Sequence, residues 1–156
     1  LRASTLLHSW RGGEARIPAF LSDYVFLVRG LLELHQATDE ERWLEAAAEL
    51  TEEQIERLAD PRGGFFVAGE GPDVLFRSKE IFDGALPSAN AVAILNLLEL
   101  TLRTGEGRWW ATAEAALRAF ATVAEQQSDA ARMLCLAARR YHRLAAELGR
   151  RVQVLA

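Results

Sequence analysis

Three carboxylates stand where acid and base chemistry would need them. Asp23 opens an apolar segment, and Glu80 and Asp83 lie in the polar run Lys79-Glu80-Ile81-Phe82-Asp83-Gly84-Ala85-Leu86-Pro87-Ser88-Ala89-Asn90. Asp83 with Asp23, or Asp83 with Glu80, can divide a reaction between a proton donor and a proton acceptor, as glycosidic hydrolysis or epimerisation requires. His8 adds an imidazole suited to general acid or base work, and Trp10 offers a flat face for stacking on a sugar ring. Tyr24, Ser88 and Asn90 fall at predicted helix starts, where free backbone N–H groups suit hydroxyl-rich or anionic ligands. The competing account spends the same residues on local structure, with Asp83-Gly84 as a turn, Asp23 and Ser88 as helix caps and His8 as a packing residue.

The elements that must position these groups are helices. Tyr24, Leu27, Val28, Leu31, Leu34 and His35 recur at helical steps and predict a helix over about 19–37, apolar on nearly every side and therefore buried. Trp43, Leu44, Ala47, Leu50, Ile55 and Leu58 oppose a glutamate-rich face over about 40–59, an outer, half-wet helix. Asp60-Pro61-Arg62-Gly63-Gly64 stops it, and Phe65-Phe66-Val67 with Val74-Leu75-Phe76 read as a small β-hairpin between two repeats. Further helices are predicted over about 87–103, 107–125 and 128–148, the last opened by Ser128-Asp129 and closed by Gly149, with a terminal strand over 151–155. Residues 1–17 read as loop with short strand pairing around Gly12-Gly13.

Laid side by side, the helices repeat. Leu31-Leu32-Glu33-Leu34 matches Leu97-Leu98-Glu99-Leu100, Thr38 matches Thr104, and Arg42-Trp43 match Arg108-Trp109, all at an offset of 66 residues. The repeating unit is a helical hairpin whose first helix cannot cover its own apolar faces, so stacked hairpins in two layers follow. The repeats span about 19–59 and 87–125, and the helix over about 128–148 is the inner member of a third hairpin. By the same offset Asp23 aligns with Ala89 and Tyr24 with Asn90, which places both polar clusters at one end of the array as a cavity mouth.

With 156 residues, half of them hydrophobic, the chain suits one all-α domain. A net charge of −4 without a basic stripe argues against nucleic acid as a partner. The apolar segments near 24–34 and 85–98 are interrupted by polar residues and fall short of a bilayer span, and no basic-then-apolar leader opens the chain, so a cytoplasmic protein is expected. Cys135 is the single cysteine, which rules out an intrachain disulfide and reads as a small buried residue. No His, Cys and carboxylate spacing fits a metal site, and no cofactor motif is present. The start at Leu1 and the unpaired inner helix suggest a piece of a longer protein that would self-associate through uncovered apolar surface.

In order, His8-Ser9-Trp10-Arg11, Phe20-Leu21-Ser22-Asp23-Tyr24, Leu31–Leu50, Gly64-Phe65-Phe66, Arg77-Ser78-Lys79-Glu80 and Asp83–Asn90 resemble a family that joins a thioredoxin-like domain to a six-hairpin α/α toroid, the spermatogenesis-associated protein 20-like family. The resemblance implies a partial toroid similar to those of N-acylglucosamine 2-epimerases and six-hairpin glycosidases, with a thioredoxin-like domain elsewhere in the parent chain. It implies a saccharide ligand, and nominates Arg11 and Lys79 as substrate contacts beside His8, Trp10, Tyr24, Ser88 and Asn90. Ser22, Ala89 and Ala91 stand where the family pattern has an acid, a glycine and a serine, which points to a diverged member. A non-catalytic scaffold serving the thioredoxin-like domain is the alternative.

Overall fold

Helix α3 (Ala89–Thr104) is apolar around most of its circumference because other helices surround it. It packs against α1 (Leu21–Thr38), α4 (Gly107–Gln126) and α5 (Arg132–Val154), while α2 (Glu41–Leu58) packs chiefly on α1. The computed structural model describes residues 5–71 and 74–154. Its helices form a row of α1, α3 and α5, with α2 laid on α1 and α4 on α3. Ahead of them β1 (Leu7–Arg11) pairs antiparallel with β2 (Glu14–Pro18), Ser9 opposite Arg16, around Gly12 and Gly13 at positive φ. The protein is thus mostly helical with one small two-stranded sheet.

The core runs along the row, through Leu21, Val25, Val28 and Leu32 of α1 and Ile94, Leu97, Leu98 and Leu100 of α3, all essentially inaccessible. Asn96 fastens the two helices, its Nδ2 donating to the Val25 carbonyl at 2.8 Å within the core. The repeat read from the sequence extends to individual hydrogen bonds. Thr38 Oγ1 donates to Leu34 O at 2.8 Å and accepts from Glu40 N at 3.3 Å, and Thr104 Oγ1 donates to Leu100 O at 2.8 Å and accepts from Glu106 N at 3.2 Å. The next residues, Asp39 and Gly105, both take the left-handed cap conformation that turns a helix end. Arg42 lies 4.2 Å over Trp43, and Arg108 lies 4.1 Å over Trp109.

Three expectations are corrected. The β-hairpin expected at 65–67 and 74–76 is absent among the described residues, whereas the strand pairing expected around Gly12-Gly13 is present as β1 and β2. Phe65 makes an isolated bridge to Ala59, its backbone N–H and C=O are held by Asn90, and Val67 N–H donates to Ser78 O at 2.8 Å, so this segment is pinned to helices and loop and never pairs with 74–76. α5 begins at Arg132, because Gln127–Ala131 form a turn with Ala130 N–H and Ala131 N–H both donating to Gln127 O. It then runs through Gly149 to Val154, so residues 151–154 are helical where a strand was expected; Leu155 lies outside the described residues. Gly149 does not use a positive φ, and a glycine inside a helix costs only about 1 kcal/mol. Among the described residues no helix is long and apolar enough to cross a membrane.

Candidate functional site

The first cluster forms where the hairpin meets α1. Asp23 sits in the first turn, and its Oδ2 accepts from Phe20 N–H at 2.8 Å, satisfying one of the amides a helix start leaves free. The same oxygen lies 2.9 Å from His8 Nδ1, and the His8 ring stands edge-on to Phe20 with centroids 5.0 Å apart. A carboxylate beside Nδ1 fixes the ring orientation. Trp10 is 73% exposed on the same hairpin and Arg11 beside it is exposed, so both are free to meet a ligand. Tyr24, in contrast, has no accessible surface and ties α1 to α2 by donating from Oη to Glu53 Oε1 at 2.8 Å. Burial first, then this hydrogen bond and the Glu53 charge, push the phenol well above its ordinary pKa. Glu53 Oε1 also accepts from Leu6 N–H at 3.3 Å, which anchors the chain entering β1.

The second cluster is the loop before α3, and most of its polar atoms are turned onto the backbone. Asp83 Oδ1 accepts from Ser88 N–H and Oδ2 from Met133 N–H, each at 2.9 Å, while Asp83 N–H donates to Ala130 O at 2.8 Å. One side chain therefore staples the starts of α3 and α5 together. Ser88 is the N-cap of α3, its Oγ accepting from Ala91 N–H and donating to Glu80 O, both at 3.3 Å. Asn90, with no accessible surface, accepts from Phe65 N–H at 2.8 Å and donates to Phe65 O at 3.0 Å and Glu80 O at 2.9 Å. Glu80 thus enters this network through its carbonyl, and its residue is otherwise exposed.

Lys79 lies in a third network that sequence reading missed. Its Nζ donates to Gly63 O at 2.6 Å and lies 2.8 Å from Asp60 Oδ2, over the Phe66 ring. Arg62 completes the clamp, its guanidinium reaching Asp60 Oδ1 at 3.3 Å and Oδ2 at 3.1 Å and its N–H donating to Oδ1 at 2.8 Å. Hydrogen bonds from Arg62 and then Lys79 hold the Asp60 carboxyl far below the usual carboxylate range. The signal was legible as an Asx turn, since Asp60 accepts from the amide two residues on. Its partner Lys79, 19 residues away, was not.

Of the residues nominated from sequence, the fold joins His8 to Asp23, Asp83 to Ser88, and Ser88 and Asn90 to the Glu80 carbonyl. Asp23 and Asp83 serve different helix starts, and the hydrogen bonds of each go to different partners. A groove of about 640 Å³ lies elsewhere, between α4 and α5, and none of the nominated residues lines it.

Fold and polar clusters together describe a mostly helical protein with one small two-stranded sheet, whose loop residues chiefly hold helix starts in place. No protein-family profile matches the chain. Over 104 residues, 65% of its length, it is 45% identical to spermatogenesis-associated protein 20 of Mus musculus, and over the same length 42% identical to that of Homo sapiens. Over 88 residues it is 35% identical to an uncharacterized protein of Caenorhabditis elegans. The matched region is homologous to spermatogenesis-associated protein 20, as the ordered motifs implied. The chain spans about 13% of the length of those mammalian relatives.

Proposed function

We propose that the chain is a section of an α/α toroid, two helical hairpins and the inner helix of a third, and that it works as a non-catalytic scaffold within a longer protein that also carries a thioredoxin-like domain. The observation that carries this reading is the fate of Asp83. Both of its oxygens accept backbone N–H groups at 2.9 Å, so the carboxylate best placed by sequence for proton transfer is committed to holding α3 and α5. Tyr24 and Asn90 support it, because neither has accessible surface to offer a substrate. A cytoplasmic setting belongs to the same reading, in keeping with a lone cysteine that pairs with no other.

A second reading, a carbohydrate-binding or carbohydrate-active section, draws on the oriented His8–Asp23 pair beside the exposed Trp10. Titration of the chain with a panel of mono- and oligosaccharides separates the two, because indole emission reports stacking on Trp10. The scaffold reading expects no saturable change. A saturable change that Trp10→Ala abolishes would overturn it in favour of saccharide binding.

A further inference from the structure

A polar cleft of about 470 Å³ opens where α2 ends, a size that holds a small molecule. Arg57 in the last turn of α2 and Arg77 in the loop before α3 both line it, together with the acids Glu56 and Glu70. The two guanidinium groups are held differently. Arg77 is fixed, its Nε donating to Ala68 O and its Nη2 to Arg57 O, each at 3.2 Å, with its Cζ 3.9 Å over the Phe66 ring. Its Nη1 donates to Glu70 Oε1 at 3.2 Å, and Glu70 is 86% exposed, so that carboxylate is weakly held and open to replacement.

Arg57 has no carboxylate at all. Its Nε is buried without an acceptor, and its side chain makes no hydrogen bond or ion pair with any described residue. Glu53, four residues back and the usual helical partner for such a cation, instead turns Oε1 to Tyr24 Oη at 2.8 Å and to Leu6 N–H at 3.3 Å. The other half-buried cations among the described residues, Arg29, Arg77, Lys79, Arg103 and Arg140, each have a carboxylate oxygen at 3.7 Å or closer. A half-buried guanidinium is a charge partly withdrawn from water, and it calls for an anion.

We infer that this cleft binds a small monocarboxylate, whose oxygens take up the charge of Arg57 and compete with Glu70 for Arg77 Nη1. The surroundings select the charge of the ligand. Glu56 and Glu70 line the same cleft, and the end of α2 adds the negative pole of its dipole, so a doubly charged phosphate is repelled where a single carboxylate is accepted. Pro61 and Phe66 supply apolar wall for the rest of the molecule. Such a site does not depend on whether the surrounding helices act as a scaffold.

The test is a titration of the isotope-labelled 156-residue chain with sodium acetate and with inorganic phosphate, each at constant pH and ionic strength, followed by NMR. Acetate is expected to shift the Phe66, Gly69 and Glu70 amides saturably and to bind more tightly than phosphate. Arg57→Gln is expected to weaken acetate binding about tenfold, the scale of one charged hydrogen bond. Glu70→Gln removes the competitor for Arg77 and is expected to tighten acetate binding about threefold, the scale of one exposed ion pair. Circular dichroism checks that both variants keep their helices; where Arg57→Gln does not, the gain in Glu70→Gln decides alone. Shifts that do not saturate, an affinity that Arg57→Gln leaves unchanged in a folded chain, no gain in Glu70→Gln, or tighter binding of phosphate each overturns the inference. The saccharide titration reads Trp10 and this one reads amides beside the cleft, so the carboxylate site and the scaffold reading can fail separately.

Discussion

At the C-terminal ends of α1 and α3, Thr38 and Thr104 make matching hydrogen bonds to the preceding turn and to the next helix, whereas at their N-terminal ends the two helices are built differently. α1 begins with Asp23 accepting from Phe20 N–H and holding His8. α3 begins with Ser88 as its cap and Asp83 bridging to α5. Beneath this difference one feature is shared. Tyr24 and Asn90, one repeat apart, are both fully buried and each fastens its inner helix to a distant segment, Tyr24 to Glu53 and Asn90 to Phe65. The matching ends define how consecutive hairpins turn, and the differing starts define which loop each repeat must hold.

The strongest disturbance is expected between the repeats, where copy one has a glycine pair against α4. Gly63 has φ +99, and a Cβ there would lie 2.3 Å from the Ala115 carbonyl oxygen. Gly63→Ala must therefore move backbone as well as strain φ, and urea denaturation should show a loss of about 3 kcal/mol or more. A loss under about 1 kcal/mol would mean that this loop is not seated on α4.

Next comes the buried pair. Asn90→Ala removes three hydrogen bonds and leaves the Phe65 amide and carbonyl without their side-chain partner, a cost of about 3 kcal/mol. Tyr24→Phe removes one bond and should cost about 1–2 kcal/mol by the same denaturation curve. The reverse order would break the view that Asn90 is the tighter fastening.

The smallest effect is expected in acid. Folding holds the Asp60 carboxyl below its usual value of 3.8, so its contribution is fully present above that pH and is lost as pH falls toward the depressed folded value. The stability gap between the wild-type chain and Asp60→Asn should be constant from neutral pH down to about 5 and should narrow below pH 4. A gap that widens there would contradict the clamp formed with Arg62 and Lys79.

The helices and their repeat were legible in the sequence because apolar periodicity and a duplicated Leu-Leu-Glu-Leu and Arg-Trp pattern are local signals. The strand pairing around Gly12-Gly13 was legible from its turn, but the further hairpin at 65–67 and 74–76 was misread for a physical reason. Glu14–Pro18 is exposed throughout and lacks the alternation that marks a half-buried strand, while Phe65-Phe66-Val67 has the apolar character of a strand but is held by Asn90. The start of α5 was read from Ser128-Asp129, yet the carboxylate at its first turn comes from Asp83, 50 residues earlier. The site shows the same limit. Residue type nominated Asp23, Asp83 and Lys79, but only tertiary contacts reveal that a backbone amide, two helix starts and Asp60 take up those groups.

Amide hydrogen exchange in the wild-type chain and Asp83→Ala tests most directly whether the leading acid candidate is a structural staple. The account predicts that Ser88 and Met133 amides, both bound to Asp83 in the folded chain, exchange together at least about tenfold faster in the variant, reflecting loss of about 1.5 kcal/mol at each charged hydrogen bond. Unchanged protection of both amides would show that the Asp83 carboxylate is free, and would contradict the scaffold reading at its centre.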